Sequence, residues 1–258
     1  MSLRDRIATP EGKRRYVRSL FATIADRYDF ITVALSYGQD RRWKRRLIDL
    51  GVPRPGSRAL DLATGTGDIA FGLASRGARV VGLDITLRML ELAVAKGRSL
   101  ERLALRRNGA SPDAPAGARA LQASGFVQGD MLALPFPAAS FDIVTTGYGL
   151  RNVPNLAAAI DEIGRVLAPG GQLLSLDFNR PSNPIVRAAY LAYLTAVGAT
   201  LGWVLHRDPD TYRYIPASIR QYPGAEAVAR MIEARGFTSV RAYPVLGGLM
   251  TIHHAVRT

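Results

Sequence analysis

Three short runs of this 258-residue chain carry the residue types best suited to chemistry. Asp61-Leu-Ala-Thr-Gly-Thr-Gly-Asp68 is a glycine turn bracketed by carboxylates, Gly82-Leu-Asp84 follows it, and Gly129-Asp130-Met131 comes later. Each stands where a short apolar segment ends. Glycine lets backbone approach a ligand closely, and Gly65, Gly67 and Ala70 satisfy the loose GxGxxG/A nucleotide-binding pattern. A dinucleotide would rest its pyrophosphate on the N-terminus of the helix opening there, drawn by backbone amides and the helix dipole. Asp68 occupies that position and repels phosphate. S-adenosyl-L-methionine has no phosphate; it carries a sulfonium and an amino group, which a carboxylate-rich turn tolerates. Asp84 lies at the separation suited to a ribose diol. Asp130 can accept from an adenine amino group and Met131 can cover the ring. The candidate cofactor contacts are therefore Asp61, Gly65, Gly67, Asp84 with its neighbour Ile85, Asp130 and Met131. The expected cofactor is S-adenosyl-L-methionine, and no metal is expected.

The elements that must hold these residues alternate between strand and helix from residue 58, which predicts an α/β, doubly wound, mostly parallel sheet. Strands are expected at 58–63, 79–84, 126–128, 141–145 and 172–178, with helices at 68–76, 86–96 and 155–167. Pro169-Gly170-Gly171 reads as a tight turn. A helix at 225–235 and two strands at 239–245 and 250–256 predict an antiparallel hairpin closing the sheet. Ligands of such sheets bind beyond the carboxyl ends of the strands, at the switch in strand order.

Two segments interrupt this rhythm within an expected single domain spanning 1–258. Residues 98–124, rich in Arg, Ala, Gly and Pro, read as a mobile insertion. Residues 185–205 contain one charge, Arg187, and a GxxxG pair, Gly198 and Gly202. That stretch is long enough to span a bilayer, but its Ala, Thr and Tyr content favours an apolar cap, placed at 184–215, over the sheet's carboxyl edge. Residues 1–54 are expected to form a helical lid.

The net charge is +13, and only Lys13, Lys44 and Lys96 among the 34 basic residues are lysine. Residues 1–54 hold thirteen of these bases against six acids. Such charge suits nucleic acid or an anionic membrane surface, or simply a solvated helix face around Trp43. The N-terminus lacks an apolar segment of the signal-peptide type, so a cytoplasmic protein is expected. Absence of cysteine excludes disulfides, zinc–thiolate sites and a thiolate nucleophile.

LDLATGTGD (60–68), GDMLALPFPAASFDIV (129–144), YGLRNV (148–153), RVLAPGGQL (165–173), YRYIPASI (212–219) and the start RYDF…LSYGQDRRWK (27–44) resemble the ubiquinone/menaquinone biosynthesis C-methyltransferases, nearest the menaquinone branch. The resemblance spans nearly the whole chain and implies the class I, Rossmann-like methyltransferase fold. It implies transfer of a methyl group from S-adenosylmethionine to a ring carbon of a polyprenylated quinol, demethylmenaquinol to menaquinol. It places cofactor contacts at Thr66, Asp84, Asp130 and Met131, and a catalytic arginine at Arg151. Gly147 stands where some members have serine, and Phe30-Ile31-Thr32 replaces the usual Leu-Asn.

Free arginine is a poor base, its pKa exceeding ~12. Arg151 is therefore expected to orient a water or stabilise a developing phenolate, with Asn152 holding its geometry. Tyr28, Asp29, Tyr212 and Tyr214 are the candidate contacts to the quinol head. The implied partners are a polyprenyl quinol and, through the basic N-terminal segment, an anionic membrane surface on the inner face of the cell membrane; a homodimer is compatible with the sequence. The alternatives are the benzoquinol intermediate of ubiquinone biosynthesis or another phenol. More distant are a nucleic-acid methyltransferase, which lacks the cysteine, lysine tetrad or Asn-Pro-Pro motif it would need, and a non-catalytic scaffold.

Overall fold

The computed structural model describes residues 3–36, 38–108, 125–208 and 211–258. Helices α1 (Leu3–Arg6), α2 (Pro10–Ile24), α3 (Tyr28–Leu35) and α4 (Asp40–Gly51) precede the sheet. The body alternates β1 (Arg58–Leu62), α5 (Asp68–Ala74), β2 (Arg79–Asp84), α6 (Leu87–Asn108), β3 (Gly125–Gln128), β4 (Phe141–Gly147), α7 (Leu156–Val166) and β5 (Leu167–Phe178). Then come α8 (Pro184–His206), α9 (Tyr214–Gln221), α10 (Ala225–Glu233), β6 (Phe237–Val245) and β7 (Met250–Arg257). The strands form one seven-stranded sheet in the order β3-β2-β1-β4-β5-β7-β6, with only β7 antiparallel to its neighbours.

The two faces of the sheet are legible in single-residue alternation. Leu60, Val144 and Leu173 point to one face, against Ile160 and Ile163 of α7 and Val228 and Ile232 of α10. Ala59, Ile143 and Leu174 point to the other, against Ile69 and Leu73 of α5 and Trp43, Leu47 and Ile48 of α4. The α4 sequence DRRWKRRLIDLG thus buries one stripe and turns Arg41, Arg42, Arg45 and Arg46 to solvent. This corrects the expectation of a lid over 1–54: α1–α3 cover the strand ends, whereas α4 belongs to the helical layer on the sheet.

A second correction concerns 98–124. Helix α6 continues to Asn108, because Leu, Ala, Glu and Arg are strong helix formers even where apolar periodicity fades. Residues 109–124 of that segment lie outside the described residues. The turn at 169–171 sits inside β5 as an irregularity, where pairing with β4 jumps from Phe141↔Leu167 to Ile143↔Gln172. The Gly198/Gly202 pair is buried on the inner side of α8, where a Cβ on Gly198 would lie 3.2 Å from that of Tyr212.

Strand register brings the ends of β1, β2, β3 and β4 to one edge, since Leu62 lies beside Leu83 and Thr146, and Asp84 beside Gln128. β1 and β4 adjoin there although they are not consecutive in sequence, and this is the topological switch. After β1 the chain turns into α5 through Gly67, whose φ of +86° and 2.7 Å Cβ approach to the Phe71 ring exclude a side chain. Gly67→Ala is expected to destabilise the fold by about 1–2 kcal/mol. Urea unfolding checks it, and unchanged stability would contradict the steric reading.

Candidate active site

Two cavities meet at this edge. The first lies over β1, β2 and β4, between Asp84, Ile85, Met89, Asp130 and Met131, and is roofed by Arg14, Val17 and Phe21 of α2. The second, the roomier of the two, lies under α3, α8 and α9 and is almost wholly apolar, with Leu20, Ile24, Ile31, Tyr190, Leu194 and Ile215 in its walls. Phe21, Tyr28 and Tyr148 belong to both linings and form the partition between them. A smaller cleft lined by Asp61, Thr64, Gly65, Thr66 and Asp68 extends along the β1 turn, again against Tyr28 and Tyr148.

The carboxylates of the first cavity are held by backbone. Asp84 accepts from the Gly65 amide at 2.9 Å and the Thr86 amide at 2.8 Å, and burial raises its pKa. Asp130 accepts from the Leu132 amide at 2.9 Å and is paired with Arg14. Between them lie Leu83, Ile85, Met89 and Met131. This set of carboxylate acceptors around an apolar sleeve matches a nucleoside with no phosphate. Asp61 is deeper, accepting from the hydroxyls of Thr64 at 2.6 Å and Thr145 at 2.7 Å. Burial pushes its pKa up to about 6.

That shift has a sign that can be measured. Because the folded value exceeds the ordinary 3.8, the stability contributed by protonated Asp61 is full below about pH 4. It is lost as pH rises to about 6, by up to about 3 kcal/mol. Asp61→Asn keeps the shape and removes the charge. Its stability relative to the native chain is therefore expected to improve across that interval and level off above it. Parallel curves for the two proteins in denaturant titrations from acid to neutral pH would contradict the assignment.

Asp68 departs from its expected role. Burial alone would raise its pKa, but Lys44 at 2.9 Å and Lys96 beside it hold it down to about 2. The negative charge at the α5 N-terminus is thus engaged by two lysines and does not set the ligand preference of the turn. Asp29 departs too: it accepts from Thr66 Oγ1 at 2.5 Å and Lys96 Nζ at 2.8 Å, and it is not among the residues lining the apolar cavity. Thr66 meets the small cleft only, and Gly67 acts as the backbone cap of α5.

Arg151, on the single 3-10 turn after β4, lines the apolar cavity yet is only 6% exposed. Its Nε lies 3.0 Å from Asp177 at the end of β5, Nη1 donates to Ser218 Oγ at 2.7 Å, and its guanidinium stacks 4.7 Å from the Phe178 ring centre. Asn152 faces the first cavity and donates to the Tyr148 carbonyl at 2.8 Å; its contact to Arg151 Nη1 is a long 3.4 Å. It therefore fixes Tyr148 more than Arg151. Tyr212 and Tyr214 both line the apolar cavity. Tyr212 shares a hydrogen bond with His206 at 3.0 Å, whereas the buried Tyr214 hydroxyl has no partner among the described residues. Burial pushes Tyr28 up to about 12, so it stays a neutral phenol.

Several participants escaped the sequence reading. Tyr148 adopts φ +60°, a left-handed conformation rare for such a side chain. It is held there by its amide to the Leu176 carbonyl at 2.7 Å and its hydroxyl to Asp40 at 2.6 Å. Asp40 pairs at 2.6 Å with Lys44, whose pKa rises because Asp40 and Asp68 outweigh burial. Lys13 of α2 donates to the carbonyls of Arg151 at 3.0 Å and Val153 at 2.8 Å, clamping α2 to the Arg151 turn. Burial, then the charge of Arg151, lowers Lys13 to about 8. Asp177 had a signal: like Asp61 and Asp84, it is an acid ending an apolar strand.

A sequence profile described as the ubiE/COQ5 methyltransferase family matches residues 9–257. The chain belongs to that family. A demethylmenaquinone methyltransferase of Thermus thermophilus is 40% identical over 236 residues, covering 91% of this chain and 98% of that protein. A ubiquinone/menaquinone biosynthesis C-methyltransferase UbiE of Azotobacter vinelandii is 36% identical, covering 97% and 93%. Among solved structures, a methyltransferase from Thermotoga maritima aligns with a TM-score of 0.61 at 14% identity, covering 94% of this chain and all of that one. Haemonchus contortus phosphoethanolamine N-methyltransferase 2, solved with S-adenosyl-L-methionine, aligns at 0.56 and 16%, covering 84% and 52%. These two share the fold. The protein is an S-adenosylmethionine-dependent C-methyltransferase of the ubiE/COQ5 family, and the first cavity has the chemistry that cofactor requires.

Proposed function

We propose that the protein methylates a ring carbon of a polyprenylated quinol, converting demethylmenaquinol to menaquinol. The observation that carries this reading is the large apolar cavity that shares its partition, Phe21, Tyr28 and Tyr148, with the cofactor cavity and has Arg151 in its wall. A prenyl tail needs such a sleeve, and burial contributes about 25 cal/mol per Å² of apolar surface.

S-adenosylmethionine, when bound, supplies an electrophilic methyl group on its sulfonium. The rest is positioning by this chain. Tyr28 and Tyr148, on the boundary that both cavities share, position the ring beside the cofactor, and Phe21 keeps water out. A ring carbon ortho to a hydroxyl becomes nucleophilic as that hydroxyl loses its proton. The Arg151 guanidinium stabilises the phenolate oxygen, and the Tyr214 hydroxyl offers it a hydrogen bond. With the methyl group supplied by the bound cofactor, the ring carbon would give up its own proton to solvent as aromaticity returns and the phenolate oxygen would take one proton back, so that one proton is released overall. Asp84 and Asp130 hold the nucleoside, with Gly65, Ile85 and Met131 shaping its bed and Asp61 and Thr66 lining the cleft beside it. The enzyme works peripherally on the inner face of the cell membrane, where such a quinol resides.

Purified protein given methyl-labelled S-adenosylmethionine and chemically reduced demethylmenaquinone in detergent is expected to place label on the naphthoquinone ring. Label appearing only with a demethylated benzoquinol would move the substrate to the ubiquinone branch. No label on either, with cofactor binding intact, would overturn the quinol reading.

A further inference from the structure

Helix α8 is apolar on both sides. Its inner residues Tyr190, Tyr193 and Leu194 line the acceptor cavity. Its outer residues Ile185, Ala189, Ala192, Ala196, Trp203 and Val204, spaced to share one helical face, are exposed, with Ile185 at 78% and Trp203 at 66%. Helix α3 repeats the arrangement: Ile31 and Leu35 face the cavity while Phe30 is 60% exposed. Both helices meet in one apolar cluster through Ile31, Leu35, Leu201 and Leu205. A solvated surface helix would present polar residues on such a face, and a contiguous apolar surface of this kind marks an interaction site. Spanning a bilayer is closed to α8, because Tyr190, Leu191 and Leu194 are packed against Ile219 of α9.

The charges around this face choose the occupant. From Asn179 to Asp208 the sequence contains Arg180, Arg187 and Arg207 against one carboxylate, Asp208. A second copy would bring like charges together in a protein already at +13, whereas an anionic lipid surface complements them. An apolar helix face carrying tryptophan and flanked by arginine fits the boundary between headgroups and acyl chains.

We propose that the outer faces of α3 and α8 dock on an anionic lipid surface, seating Phe30, Ile185, Trp203 and Val204 at the acyl boundary with Arg207 among the headgroups. The wall that separates lipid from the acceptor cavity is then one helix thick, and a prenyl tail passes from bilayer to cavity between α3 and α8. This last step rests on the quinol reading above; docking itself does not. It also relocates the membrane contact, which the sequence alone suggested for the basic N-terminal segment.

Tryptophan emission provides the test. The chain has two tryptophans, of which Trp43 is 6% exposed and Trp203 66%. Vesicles of phosphatidylcholine and phosphatidylglycerol are expected to shift the Trp203 emission to the blue, and lipids brominated on their acyl chains to quench it. The double variant Ile185→Glu/Val204→Glu is expected to lower vesicle partitioning on the order of tenfold or more, while turnover of a short-tailed quinol in detergent stays unchanged. Absence of quenching overturns the proposal, as does full vesicle binding by the double variant. A concentration-dependent dimer that the variant dissociates, without quenching by lipid, overturns it in favour of self-association. Quenching in a protein that methylates no quinol leaves the docking standing and removes the quinol reading alone.

Discussion

Replacing Arg151 with alanine is expected to lower turnover by roughly 10²–10⁴-fold and to destabilise the fold by about 3–5 kcal/mol. The two losses have separate causes. Turnover falls because no other cation lines the apolar cavity among its described residues to stabilise a phenolate. Stability falls because Asp177, 2% exposed, keeps its charge in the interior with only backbone donors left to it. Without its partner, Asp177 is pushed further up in pKa than burial already drives it. Adding Asp177→Asn separates the causes: the double variant is expected to regain much of the stability and none of the turnover. Thermal unfolding and initial rates of methyl transfer on the same preparations check both. Recovery of turnover in the double variant would show that Arg151 acts only as a structural counter-ion.

The second large effect is expected at Lys44→Met. Lys44 lies between Asp40 and Asp68 in the layer under the β1 turn. Asp68 keeps Lys96 when Lys44 is removed, but Asp40, 2% exposed, is left among the described residues with the Tyr148 hydroxyl alone. An uncompensated buried carboxylate costs about 3–5 kcal/mol, which for a chain of this size lowers the Tm by on the order of 10 °C. The loss reaches the site, because Asp40 anchors Tyr148 in its positive-φ conformation on the partition between the cavities. Lys44→Met/Asp40→Asn is expected to recover most of the Tm, since asparagine still accepts from Tyr148. A single variant that melts with the native chain would show that water, not Lys44, balances Asp40.

The strand edge was legible because it depends on local order. Apolar runs ending near Asp61, Asp84 and Asp130, with a glycine within four residues of each, place three carboxylates at neighbouring strand ends in any doubly wound sheet. No contact need be known. Asp68 was misread for that same local reason: in the sequence it is an acid beside a glycine turn, but in the fold Lys44 from α4 and Lys96 from α6 reach it across 24 and 28 residues of chain. Asp29, a candidate contact to the quinol head in the sequence, is engaged by Lys96 from 67 residues away. Arg151 was found through a motif, but its stacking on Phe178 and its partners Asp177 and Ser218 come from β5 and α9.

The alternation of apolar segments, the glycine turns and the acids that end the strands therefore determined the fold class, the switch point and the cofactor's chemistry, because each is written in residues near one another along the chain. Only the tertiary structure decided which charges stay available to a ligand, since ion pairs form between elements distant in sequence. It also decided that Phe21, Tyr28 and Tyr148 stand between the two cavities, and that α8 turns an apolar face both inward and outward. Those properties belong to surfaces assembled from several helices, and no single segment contains them.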